Sequence, residues 1–166
     1  MKKNALRVIQ ISDTHLYANQ DKTLLGVNTY NSFSATIDLL KSDKTTPDLI
    51  ILTGDLSQDD SEIAYQTIVK TFQVFSAPVH YVPGNHDDKE MMTRVLSSAN
   101  LSQAKQIVLD QWQFILLNSQ KPKAVEGYLA RTELDFFRKL FTAISNTPCD
   151  RCISSSSCAC WCHLVR

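Results

Sequence analysis

The sequence predicts an α/β fold built on a parallel sheet, and three observations carry that expectation. Apolar runs of strand length alternate with stretches whose apolar residues recur at helical spacing. The run Leu49-Ile50-Ile51-Leu52 is apolar throughout, as in a strand covered on both faces. Each of three such runs ends in a polar island: Asp13-Thr14-His15, Gly54-Asp55 and Gly84-Asn85-His86-Asp87. In open parallel sheets ligands sit beyond the carboxyl ends of the strands, where these islands fall.

Taken in order, residues 6–11 read as the first strand. Residues 31–41 place Phe33, Ile37 and Leu40 on one helical face. Residues 48–52 form the fully apolar strand. Ser61 opens a helix whose expected inner face is Ile63, Tyr65, Ile68, Val69, Phe72 and Phe75. Pro78 leads into a strand at 79–82, and a further helix fits 88–96. The pattern then turns to strands at 106–109 and 112–117. An amphipathic helix at 132–144 turns Leu134, Phe137, Leu140, Phe141 and Ile144 inward. This alternation implies parallel strands joined by right-handed crossovers. There is no internal repeat.

A chain of 166 residues suits one domain. At roughly 150 residues a domain buries about 68–70% of its unfolded surface, so a real core is available. Lysine plus arginine equals aspartate plus glutamate at 17 each, for zero net charge. That balance argues against a general grip on nucleic acid or an anionic membrane, though not against a local positive site made by metal ions. The basic N-terminus begins like a signal peptide, but Arg7, Gln10 and Asp13 break any apolar segment. No stretch approaches the ~18 apolar residues of a membrane span. The expected location is cytoplasmic.

The islands carry the chemistry. Asp13 and His15 are two residues apart, and on an extended segment such residues point the same way, so both can reach one ion. Asp55 has two carboxylate oxygens and can bridge two ions, and Gly54 allows a sharp turn beside it. Asn85 offers a neutral carbonyl oxygen, with His86 and Asp87 adjacent. Mixed imidazole and carboxylate ligands suit zinc, manganese, iron or cobalt. Two such ions clamp a phosphate and activate a water without any serine or cysteine nucleophile. Alone, Asp13-Thr14-His15 and Gly54-Asp55 read mostly as strand-to-loop turns, while Gly84-Asn85-His86-Asp87 is more specific, because His86 and Asp87 add two titratable groups that a turn does not need. Their shared order and placement favour a metal cradle.

The order Asp-x-His, Gly-Asp, Gly-Asn-His-Asp resembles the calcineurin-like metallophosphoesterase superfamily. The segments Ile11-Ser12-Asp13-Thr14-His15-Leu16, Leu24-Leu25-Gly26-Val27-Asn28-Thr29-Tyr30, Thr53-Gly54-Asp55-Leu56-Ser57-Gln58-Asp59 and Pro83-Gly84-Asn85-His86-Asp87-Asp88 resemble its bacterial class III 3′,5′-cyclic-AMP phosphodiesterase branch. The resemblance spans residues 6–144. It implies a four-layer αββα sandwich, here partial, with a di-metal site of the iron, manganese or zinc class. It further implies that Asp13, His15 and Asp55 hold the first ion, and Asp55 and Asn85 the second. By the same resemblance Asn85 and His86 bind the substrate phosphate, His86 assists the leaving oxygen, and Asp87 orients His86. The implied reaction opens cyclic AMP to 5′-AMP. The implied partner is therefore a small cyclic nucleotide or phosphodiester, with no nucleic acid and no membrane.

The resemblance also implies a later His-His-Pro type motif and a Gly-His-x-His, and neither is present. Instead all five cysteines crowd into residues 149–162, while the first 148 residues have none. A one-base slip of reading frame accounts for this composition. Cysteine codons read one base on give valine or alanine at Cys149 and Cys152, and Asp150 gives isoleucine or threonine. Serine codons TCA-TCA-TCA-TCC become His-His-His-Pro. The shifted text is then an apolar strand ending in the missing motif. On that reading residues 1–148 are the N-terminal portion of one metallophosphoesterase domain and 149–166 an aberrant, disordered tail. Activity is then expected to be impaired. One alternative is a non-catalytic fragment; another has Cys149, Cys152, Cys158, Cys160 and Cys162 bind zinc, making a zinc-binding interaction protein. The Cys-x-Cys-x-Cys half is poor spacing for a zinc knuckle.

Overall fold

The computed structural model describes residues 5–97, 99, 101–110, 112–144, 149–154 and 159–164, with residues 141–144 and the last two segments described by backbone alone. In chain order the elements are β1 (Val8–Ser12), β2 (Thr23–Leu24), β3 (Val27–Asn28), α1 (Thr29–Ser42), β4 (Leu49–Thr53), α2 (Glu62–Phe72) and β5 (Val79–Val82). There follow α3 (Lys89–Leu96), β6 (Leu101–Ser102), β7 (Gln106–Leu109), β8 (Trp112–Leu116), α4 (Arg131–Ile144), β9 (Cys149–Ser154) and β10 (Ala159–Leu164).

Two four-stranded sheets result. One is parallel, in the order β1-β4-β5-β6, and the other runs β7-β8-β10-β9 with antiparallel pairs. The parallel register sets Ser12 opposite Thr53 and Thr53 opposite Val82, so β1, β4 and β5 end level with one another. The three polar islands therefore leave the sheet at one height.

Strand periodicity sorts the core. Ile50 and Leu52 of β4, with Val79 and Tyr81 of β5, face one cluster, where α1 adds Phe33 and Ile37, α2 adds Tyr65, Ile68 and Phe72, and α3 adds Met92 and Leu96. Their alternates Leu49, Ile51 and Val82 face a second cluster with Ile107, Phe114 and Leu116 of the antiparallel sheet. Burying each such side chain fully stabilises the fold by about 1.5–3 kcal/mol. The layers are three helices, a parallel sheet, an antiparallel sheet, and α4 tied on by Glu133. That buried carboxylate pairs with Lys105 and accepts from the Asn118 N–H at 3.1 Å.

Helix starts follow capping chemistry. Asn28, Ser61 and Asp88 accept from the backbone N–H groups of Asn31, Ala64 and Met91 at 2.8, 3.2 and 2.8 Å. These caps move the first helix two residues earlier than its apolar spacing suggests. Within α2 the expected inner face is corrected at one position: Ile63 is half exposed and Ala64 is buried, because the stripe through Tyr65, Ile68 and Phe72 carries 64 inward. In α4, Leu134, Phe137 and Leu140 are only partly buried, and the side chains of Phe141 and Ile144 lie outside the described residues.

In the second sheet the strand over 112–116 lies between β7 and β10, with Phe114 opposite Trp161. Its open backbone groups are a template that a hairpin can satisfy. Residues 145–148 lie outside the described residues, as do 155–158 and 165–166, on which part of the expected disordered tail falls. Among the described residues no helix is long and apolar enough to cross a membrane.

Candidate metal centre

The islands continue the sheet as a second tier of backbone pairing. Asp13 N donates to Gly54 O at 3.1 Å, His15 N to Asp55 O at 2.8 Å, and Gly54 N to Val82 O at 3.0 Å. The Thr14 hydroxyl points inward to Leu56 O at 2.8 Å, which turns its two neighbours the other way. Possible ligand atoms of Asp13, His15 and Asp55 all lie within 4.8 Å of one another. His15 Nε2 stands 3.9 Å from Asp55 Oδ2.

The backbone that brings these residues together differs from the extended chain their spacing suggests. Asp13 and His15 do not lie on extended chain: their φ values are 56° and 43°, and that of Asp55 is 48°. Left-handed backbone costs a non-glycine residue roughly 1–2 kcal/mol. Asp13, His15 and Asp55 all adopt it, and such outliers gather where function over-determines the backbone.

Glycine makes the close approach possible. A Cβ on Gly84 would overlap both the carboxylate and the backbone nitrogen of Asp55, and one on Gly54 would come within 3.1 Å of the Gly84 Cα. Gly54 itself has φ 76°. The two loops thus meet at a glycine–glycine contact, and His86 N donates to Asp55 Oδ1 at 2.9 Å across it. Asn85 lies on the same turn, its backbone carbonyl accepting from Lys123 N at 3.0 Å.

Asp87 turns away from the cradle. Its buried carboxylate accepts from Gly84 N at 2.8 Å, Leu56 N and Ser57 N at 3.0 Å, and the Tyr65 hydroxyl at 3.1 Å. Burial raises its pKa above the usual carboxylate range, while those backbone and phenol hydrogen bonds pull the other way. Burial first and then the Asp87 charge push the Tyr65 phenol well above its ordinary range. The side chain at the His86 ring is Gln58, with Nε2 at 3.2 Å from Nδ1, and Asp87 ties the Gly54 loop to the Gly84 turn.

Three polar residues escaped the sequence reading. Tyr65 falls on the apolar face of its helix, and its hydroxyl role has no signal in periodicity. Gln58 lies within a quoted motif but follows Gly54-Asp55 by too little to suggest a partner on another loop. Gln120 donates to the carbonyls of Gly84 and Asp87, both at 2.7 Å, from a segment with no motif at all.

The donor set fits a metal ion. Ligand atoms about 2.0–2.2 Å from a shared ion stand at most about 4.4 Å apart, within a few tenths of an ångström of the separations present. His15 Nδ1 is buried with no hydrogen-bond partner, and the gap from Nε2 to Asp55 is too long for a hydrogen bond.

The family model of the calcineurin-like phosphoesterases matches residues 6–147. The chain belongs to that family. Among its relatives, the 3′,5′-cyclic adenosine monophosphate phosphodiesterase CpdA of Escherichia coli K12 is 41% identical over 140 residues, covering 83% of this chain and 51% of the relative. The proteins of the same name from Haemophilus influenzae and Pseudomonas aeruginosa are 34% and 36% identical over 139 and 133 residues, covering 83% and 80% of this chain and 51% and 48% of theirs. The chain spans about half the length of these curated relatives. The family match ends before β9, so the cysteine-bearing hairpin lies outside it. In that hairpin the register sets Cys162 opposite Cys152.

Proposed function

We propose that this chain is by descent a metal-dependent phosphodiesterase of the cyclic nucleotide type, acting on 3′,5′-cyclic AMP to give 5′-AMP, with the activity impaired in these 166 residues. The observation that carries the reading is the convergence of Asp13, His15 and Asp55, each held at positive φ, at the level ends of two neighbouring parallel strands, β1 and β4. The names of the relatives supply the substrate class.

In this reading Asp13, His15 and Asp55 hold one ion, and Asp55 and Asn85 hold a second, of the iron, manganese or zinc class. Bound ions supply charge neutralisation for the phosphate and activation of a water. The chain's own residues do the rest. His86, anchored through its N–H to Asp55, stands at the cradle's rim beside His15, with ring centroids 5.3 Å apart. From there it donates to a phosphate oxygen and assists the departing ribose oxygen. Asp87 acts at one remove, by fixing the turn that carries Asn85 and His86. The small-molecule substrate enters from solvent, and no nucleic acid or membrane is needed.

The 166-residue polypeptide brings only four of these ligands, without a His-His-Pro or Gly-His-x-His motif. Its expected behaviour is weak metal binding and hydrolysis of cyclic AMP near background. Manganese titration by calorimetry, with a cyclic AMP assay on the same sample, tests this. Metal binding that survives Asp13→Asn and Asp55→Asn together would sink the site. Turnover matching a full-length relative would mean that some other residue completes it.

A further inference from the structure

We infer that Gln120 is a positioning residue for the metal cradle: from the loop between β8 and α4, its side-chain amide clamps both ends of the Gly84–Asp87 turn and so holds Asn85 and His86 beside Asp55. What those two residues do rests on the phosphodiesterase reading, but whether the clamp holds them can be measured without metal or substrate.

Glycine gives this turn both its close approach and its freedom. Gly84 has no room for a Cβ against Asp55, yet a glycine backbone is the least restricted of any residue. The turn must therefore be held from outside. Its N–H groups are engaged by the loop after β4. His86 N donates to Asp55 Oδ1, and Gly84 N shares the Asp87 carboxylate with Leu56 N and Ser57 N. Its carbonyls are met by a different loop. Gly84 O and Asp87 O, the first and last of the motif, both accept from Gln120 Nε2 at 2.7 Å. Asn85 O, between them, accepts from Lys123 N at 3.0 Å. A carbonyl oxygen only accepts, so both partners require the NH₂ group of Gln120, which carries one hydrogen for each.

The donor is itself held. Gln120 N donates to Asn118 Oδ1 at 2.8 Å, and Asn118 N to Glu133 Oε2 at 3.1 Å. Tyr128 N donates to Ser119 O at 2.9 Å and closes the base of the loop. Lys123 lies at φ 59°, a left-handed backbone that a side chain adopts at a cost, and its ammonium pairs with Asp60 beyond Asp55. One loop thus fastens to the Gly84 turn and to the loop after β4. Because it leaves from β8, the antiparallel sheet as well as the parallel one sets where Asn85 and His86 stand.

The test is NMR of the metal-free 166-residue chain. The His15 and His86 rings stand edge-on with centroids 5.3 Å apart, so their ring protons should share a nuclear Overhauser contact, assigned by its loss in His15→Ala and in His86→Asn. Gln120→Glu keeps the shape but sets a carboxylate against two carbonyls. Gln120→Met removes the donor at similar volume and serves should the glutamate variant not fold. Each should abolish the ring contact and speed exchange of the His86 and Lys123 N–H groups by about tenfold or more, while amides of β4 and β5 exchange as before. Lys121→Ala, on the same loop but outside the clamp, should change neither. Uniformly faster exchange with the ring contact intact would make Gln120 merely structural and overturn the inference. So would a folded Gln120→Met chain with both signals unchanged, or a wild-type chain lacking the ring contact. Absence of manganese binding in a wild-type chain that shows the contact would count against the metal reading alone.

Discussion

The Tyr65 hydroxyl donates to Asp87 Oδ1 across 3.1 Å and accepts from Asp88 N at 3.0 Å. One phenol on a core helix thereby fixes the turn that carries Asn85 and His86, although its own ring is fully buried among apolar side chains. Tyr65→Phe leaves both partners short of a hydrogen bond and should cost about 1–2 kcal/mol in urea unfolding. Asp87→Asn should cost about 1–3 kcal/mol, because an amide nitrogen would face backbone N–H groups that now meet an oxygen. If Asp87→Asn is neutral in stability, the carboxylate is not the tie between the two loops.

Gly84→Ala should be worse for the site than for the fold. The added methyl would sit where the Asp55 carboxylate and amide now lie, so the Gly84 turn must retreat and take Asn85 and His86 with it. Manganese affinity should fall at least about 10–100-fold, the range seen when groups that orient metal ligands are changed. Unchanged affinity in a folded Gly84→Ala chain would show that the close approach of the two loops is dispensable.

Removing one prospective ligand gives a related prediction. His15→Ala, Asp13→Asn and Asp55→Asn should each weaken manganese binding by more than about tenfold, with Asp55→Asn the most severe because its carboxylate also holds His86 N. Lys41→Ala, on the exposed side of α1, should leave binding unchanged. Equal losses across all four variants would point to general destabilisation.

The parallel sheet and its polar strand ends were legible because two periodicities dominate: two for the strands and 3.6 for the helices. Asp13, His15 and Asp55 could be placed together from strand ends alone. Their positive φ values could not, since aspartate and histidine are enriched on a left-handed backbone only relative to other side chains and still adopt it in a small minority of cases. The two-residue strands β2, β3 and β6 are too short for any period to register. The partnership of Gln58 with His86 joins two loops 28 residues apart, and that of Gln120 with Gly84 spans 36. Contacts of this kind arise only when the topology brings loop ends together, so no local pattern announces them.

His80 gives the fold a pH dependence away from the metal cradle. It lies on β5, buried, with Nδ1 unpartnered, and burial lowers its pKa despite a hydrogen bond with the Ala104 backbone. In the unfolded chain its pKa is about 6.5. The folded state therefore binds fewer protons than the unfolded state between the two values, and stability falls as pH drops below the unfolded pKa. Above it the contribution is fully present. Melting temperature should decline from about pH 7 toward pH 5, and His80→Gln should flatten that slope. An identical slope in the variant would place the dependence elsewhere.

The cysteine-bearing hairpin gives the last prediction. Its register sets Cys152 opposite Cys162, with Cys160 two positions along the same strand. Alternate residues on a strand are separated by about 6.6 Å, whereas sulfurs bound tetrahedrally to zinc at about 2.3 Å stand closer to 3.8 Å. An extended Cys-x-Cys therefore holds its thiols apart instead of converging them, and we expect no stoichiometric zinc. What the hairpin does provide is backbone pairing along β8, which would otherwise offer an open apolar edge. Chains cut after residue 148 should accordingly aggregate faster than the 166-residue chain, as light scattering would register. The same cut should leave the helix α4 signal in circular dichroism intact. Tight zinc at one equivalent, with a cooperative melt abolished by a chelator, would instead make the hairpin a metal-stabilised unit of its own.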